Sequence, residues 1–172
     1  MNFTEGPVPS ETALDRSGVE TAWFKDSYQA RLNRPEMSVI DLFQAVLGHS
    51  PAWIKTLLIL RNRIAARAGL AVAPDAAIRS FERKAHYAVE ENIGPWPIFH
   101  LSETELIAGR DNHHLDFRLS VLKLSTPVPS VAISTICTVH NRFGKLYLFF
   151  IVPFHRWGMR QLMRRAIAAG RL

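Results

Sequence analysis

The sequence predicts one α+β domain in which a curved antiparallel sheet is closed by a long C-terminal helix. Two changes of period carry that reading: apolar residues recur at helical spacing between Ser38 and Gly69, and after Pro97 they alternate. The order of elements near the end adds a third observation. Alternating strands give way to an unbroken apolar run and then to a basic amphipathic stretch from Pro153 onward.

Each element follows in order. Residues 1–22 mix Pro, Ser, Thr and charge without a period, so a disordered or loosely attached leader is expected there, with the single domain filling residues 23–172. Between Phe24 and Leu32, apolar Phe24, Tyr28, Ala30 and Leu32 oppose Lys25, Ser27, Gln29 and Arg31, the pattern of a half-buried strand that Asp26 alone breaks. Ser38 and Asp41 mark a helix start, and Val39, Leu42, Phe43, Val46 and Leu47 carry it to Gly48. A second helix starts at Ser50 and Pro51 and runs to Gly69, which makes a helix pair after the first strand. A weaker helical pattern covers Asp75 to Glu91. Strands are expected at Ile98–Leu101, Glu105–Ala108, His113–Leu124, Ser130–His140 and Lys145–Val152, with a helix from about Pro153 to Ala169.

Bulk properties narrow the function. A chain of 172 residues, 48% hydrophobic and 21% charged, holds one core. Cys137 is the only cysteine, so the chain makes no internal disulfide. The first twenty residues lack the apolar centre of a signal peptide, and the run Leu146 to Phe154 is too short to span a bilayer. A reducing, cytoplasmic setting and no integral membrane segment are therefore expected. The formal charge of +6 raises nucleic acid as a partner, but the cations fall on two helices with no RNA-binding or zinc-finger spacing, and solvated helix faces explain them.

One constellation offers chemistry. A symmetric turn from Leu124 to Pro129 pairs residues whose numbers sum to about 254, so that His114 faces His140. Asp116, Arg118, Ser120, Ser134 and Thr138 then share the same face, opposite Leu115, Phe117, Leu119, Thr135 and Cys137. Two histidines and a carboxylate suit a metal or an acid–base pair, yet Arg118 beside Asp116 disfavours a cation, and a cross-strand ladder explains the set equally. No metal, cofactor or catalytic residue is assigned, and Cys137 is read as a small packing residue. Lys145–Val152 is apolar on both faces and needs cover from the chain, a second copy in a homodimer, or a lipid-like ligand. His155 and Arg156, placed at the expected start of the last helix, are candidate anion contacts.

Several motifs go further. Ser50-Pro-Ala-Trp53, Leu60-Arg-Asn-Arg63 with Ala68-Gly-Leu70, Asp111-Asn-His-His-Leu-Asp-Phe-Arg118, and Gly144-Lys-Leu-Tyr147 with Pro153-Phe-His-Arg156 resemble a bacterial family, domain of unknown function twenty-eight sixty-seven. The order of elements resembles the helix-grip fold of START-like and polyketide-cyclase-like proteins. That resemblance implies a cavity between sheet and C-terminal helix for a small apolar or amphipathic ligand. The expected lining is Leu115, Phe117, Leu119, Phe150 and Trp157, with His114, Asp116, Arg118, His140, His155 and Arg156 as polar contacts. It also implies a functional link to reductase-like domains, behind which family members are fused. The alternatives are a cyclase- or hydrolase-like enzyme using His114 or His140 with Asp116, and a structural or protein-interaction module.

Overall fold

The computed structural model describes residues 3–67, 72, 74–79, 84, 86–125 and 127–172. Its elements are β1 (Thr4–Glu5), α1 (Arg16–Thr21), β2 (Phe24–Arg31), α2 (Val39–Phe43), a π-helical turn (Gln44–Gly48), α3 (Ala52–Arg67), α4 (Asp75–Arg79), β3 (Asn92–Ile93), β4 (Trp96–Leu101), β5 (Glu105–Asp111), β6 (Leu115–Leu124), β7 (Ser130–Val139) and α5 (Arg142–Ala168). All strand pairs are antiparallel, in the order β1-β2-β7-β6-β5-β4-β3, and form a curved sheet. With α5 lying across β2 and β7, the arrangement is α+β and helix-grip-like.

Alternation decides the faces of the sheet. Tyr28, Ala30, Leu119, Val121, Val131 and Ile133 meet Leu42, Phe43 and Val46 of the helical layer in the main core. Burying a side chain of this size stabilises by roughly 1.5–3 kcal/mol, so this layer supplies most of the apolar driving force. Ser38 caps α2, its Oγ accepting from Asp41 N at 3.1 Å. Ser50 does not cap α3 as expected. Its hydroxyl instead donates back to Leu47 O at 2.7 Å, and Pro51 O accepts from Ile54 N. Of the expected Asp75–Glu91 helix, α4 keeps Asp75–Arg79, while Lys84 and His86–Glu91 are not helical and residues 80–83 and 85 lie outside the described residues.

The largest departure is α5. Residues 145–152, expected as a strand, are part of a 27-residue helix with Pro153 inside it. Both edges of β7 are already taken by β2 and β6, so a strand after it has no place to pair there. Asn141 then starts a helix in the gap between two expected strands, its Oδ1 accepting from Gly144 N at 3.0 Å. An internal proline removes a helical hydrogen bond and costs about 3 kcal/mol or more. Burial of Leu148, Met159, Leu162, Met163 and Ala166 offsets it.

Gly144 fixes where α5 begins. A Cβ at this position would lie 2.2 Å from His114 O, so only glycine lets the first turn approach the β5–β6 connection. Gly144→Ala is expected to destabilise the domain by about 2–4 kcal/mol, read as a lower urea midpoint at unchanged m.

Residues 3–22 are built onto the sheet rather than loosely attached. Thr4 and Glu5 pair with Gln29 and Tyr28, and Asp15 caps α1 through Gly18 N at 2.7 Å. Leu14 packs with Ile107 and Ile136 on the sheet face opposite α5. Beside it Glu105, 2% exposed, accepts hydrogen bonds from Thr12 Oγ1, Ala13 N and Ser120 Oγ. A carboxylate is tolerated inside because three donors converge on it.

Candidate functional site

The hairpin register is as the turn symmetry predicts. Asp116 is opposite Thr138, and His140 N donates to His114 O at 3.0 Å. The polar face of this hairpin is the one that the N-terminal segment partly covers. What stays open is a groove of about 350 Å³, with Leu14, Asp15, His100, Asp116, Arg118 and Thr138 among its walls.

Every charged candidate there has a partner. His140 Nε2 is 2.9 Å from Asp116 Oδ2, and Asp116 Oδ1 accepts from Asn112 N at 3.3 Å. His114 Nδ1 meets Asn141 Nδ2 at 2.8 Å, and its ring lies 4.7 Å from that of Phe143. Arg118 bonds Asp111 and stacks 3.6 Å over the Phe99 ring. Among the described residues no three His, Cys, Asp or Glu side chains gather where an ion could be held. His114 and His140 are adjacent in the register but face separate partners, so this set is a knitted cross-strand ladder.

The inner face is different. Asp26 points from β2 toward α5, directly opposite Thr135 of β7. Its side chain is 10% exposed, and Oδ2 accepts from Tyr28 Oη at 3.0 Å while standing 3.4 Å from His155 Nε2. That imidazole packs edge-on against Phe24 with ring centroids 5.5 Å apart. Two oxygens of the cluster, Asp26 Oδ1 and Thr135 Oγ1, are buried without a hydrogen bond, and His155 Nε2 has only its 3.4 Å contact to Asp26 Oδ2, which lacks hydrogen-bond geometry. Buried polar groups are nearly always satisfied, so two orphaned oxygens on adjacent strands beneath a loosely held imidazole mark a site. Gln44 Nε2, Asn112 Oδ1 and Tyr147 Oη are also buried without a well-directed partner.

Position explains the convergence. On α5 the inward stripe runs Gly144, Leu148, His155, Met159, Leu162, and on β2 it runs Phe24, Asp26, Tyr28, Ala30. The histidine and the carboxylate each occupy a place that packing would give to an apolar side chain. They form a polar seam between the small cluster of Phe24, Leu115, Cys137 and Leu148 and the main core.

Electrostatics follow from that burial. The Tyr28 hydroxyl is raised well above its ordinary value by burial and then by the charge of Asp26, so it stays a donor. Burial pushes the Cys137 thiol up to about 12, with Asp26 adding to it, so at neutral pH the thiol is inert. The Tyr147 hydroxyl is likewise raised by burial, opposed by Arg61, whose guanidinium lies 5.4 Å over its ring.

The remaining expected residues divide. Leu115 and Phe117 belong to the inner face near the seam, Leu119 is main core, and Arg156 lies over the Phe24 ring at 5.3 Å. Phe150 and Trp157 do not line the interior, being 61% and 47% exposed on α5. Misreading residues 145–152 as a strand put Phe150 on the wrong side. Sequence reasoning missed Asp26, Thr135 and Tyr28. The break that Asp26 makes in an otherwise regular strand was the available signal.

Fold and site together define a helix-grip-like α+β domain with a buried, incompletely satisfied polar seam under its C-terminal helix. The chain matches over residues 19–162 the family described as Protein of unknown function (DUF2867), and it belongs to that family. No curated protein and no solved structure matches it.

Proposed function

We propose that this domain holds a small amphipathic molecule between sheet and α5, with its polar end in the seam of Asp26, Thr135 and His155. The two orphaned oxygens, Asp26 Oδ1 and Thr135 Oγ1, beneath the loosely held His155 imidazole carry the reading. Leaving such a group buried and unpaired costs about 1–3 kcal/mol. A ligand hydroxyl or amine supplies what the seam lacks, a donor for Asp26 Oδ1 and a partner for Thr135 Oγ1. Phe24, Leu115, Phe117 and Leu148 around it offer apolar surface for the rest of such a molecule.

A catalytic role for His114, Asp116 and His140 has less support. Asp116 and His140 are 34% and 41% exposed and already paired with each other, and Asp116 lines an open groove with no nucleophile assigned beside it. Native mass spectrometry tests the proposal. The purified protein is expected to carry an organic adduct that is shed on denaturation, and Asp26→Asn, which keeps shape but removes the charge, is expected to lose most of it. A bare wild-type chain whose melting temperature no amphipathic compound raises would sink the reading.

A further inference from the structure

We infer that α5 docks the domain on an anionic membrane surface, independently of any ligand inside. Phe149, Phe150 and Phe154 are 66%, 61% and 61% exposed, and Leu146 and Trp157 are 58% and 47% exposed. Helical spacing puts these five on one side of α5, away from Leu148, Met159 and Leu162. Scattered apolar side chains are ordinary on a surface, but a contiguous aromatic face marks a contact site.

Charge selects the occupant. In its 27 residues α5 has no Asp or Glu, and Arg142, Lys145, Arg156, Arg164 and Arg165 are exposed along it. The neighbouring α3 also lacks acidic residues and exposes Leu57, Leu60 and Ile64. It reaches α5 where Trp53 stacks on Trp157 with centroids 4.3 Å apart. Aromatic side chains on helices that carry only cations, with Glu5 already bound to Arg160 and Asp75 to Arg63, fit the boundary between acyl chains and anionic headgroups. A second copy on this face would oppose cation to cation, and a nucleic acid would leave the phenyl rings in water. No described helix is long and apolar enough to cross a membrane, so the contact is peripheral.

Cosedimentation of the full chain with vesicles tests this. Binding is expected to phosphatidylcholine vesicles containing phosphatidylglycerol, with little to phosphatidylcholine alone, and high salt should release the protein. Lys145→Gln with Arg156→Gln is expected to weaken binding about 25-fold, at roughly fivefold per removed charge. Phe149→Glu with Phe154→Glu should abolish it at unchanged melting temperature, since both rings are exposed. Equal binding to neutral vesicles, or no sedimentation of the wild type, overturns the inference. So does light scattering that shows a dimer which the double Glu variant converts to a monomer.

Discussion

His155→Leu is expected to destabilise the domain by about 2–4 kcal/mol, and adding Asp26→Leu should recover most of that loss or exceed it. Removing the imidazole strands a carboxylate whose Oδ1 already lacks a partner, 10% exposed between β2 and α5. Replacing both members with leucine joins the Phe24–Leu148 cluster to the main core through apolar contact. A double-mutant cycle in urea reads the result. The more stable double variant should also travel without the adduct, which separates stability from binding in one protein. If His155→Leu alone is neutral, the seam is not a coupled pair.

Glu105→Ala is the second large effect. It removes the acceptor of Thr12 Oγ1, Ala13 N and Ser120 Oγ together, and Ser120 is fully buried. The expected loss is about 3 kcal/mol, through one orphaned hydroxyl and release of the N-terminal segment. Hydrogen exchange should show amides of residues 12–21 losing protection while β6 and β7 keep theirs, and trypsin should cut after Arg16. Retained protection across α1 would mean that Leu14 and Val19 hold the segment without the carboxylate. Glu105→Gln keeps one oxygen acceptor and turns the other into a donor, and should show an intermediate effect.

The contrast between these two sites shows what the sequence made legible. Register of the β6–β7 hairpin followed from turn symmetry, because a one-residue slip would turn Leu119, Val121 and Ile133 outward. The helix pair was readable for the same reason: each helix has a period that burial enforces. Residues 145–152 defeated the reading because a short apolar run rich in aromatic and β-branched residues suits a strand or a buried helix equally, and pairing partners decide. Whether β7 has a free edge is a tertiary fact. Glu105 and Asp26 lie on opposite faces of the sheet, one satisfied by a distant segment and one satisfied at a single oxygen, and no local pattern distinguishes those cases.

The sheet also ends abruptly on both sides. Its outermost strands, Thr4–Glu5 and Asn92–Ile93, are two residues each, and the part of β2 beyond Thr4–Glu5 carries exposed Lys25. Such edges offer too few free backbone groups to template another chain's strand. These edges therefore give edge-to-edge polymerisation little to build on even when the domain is crowded.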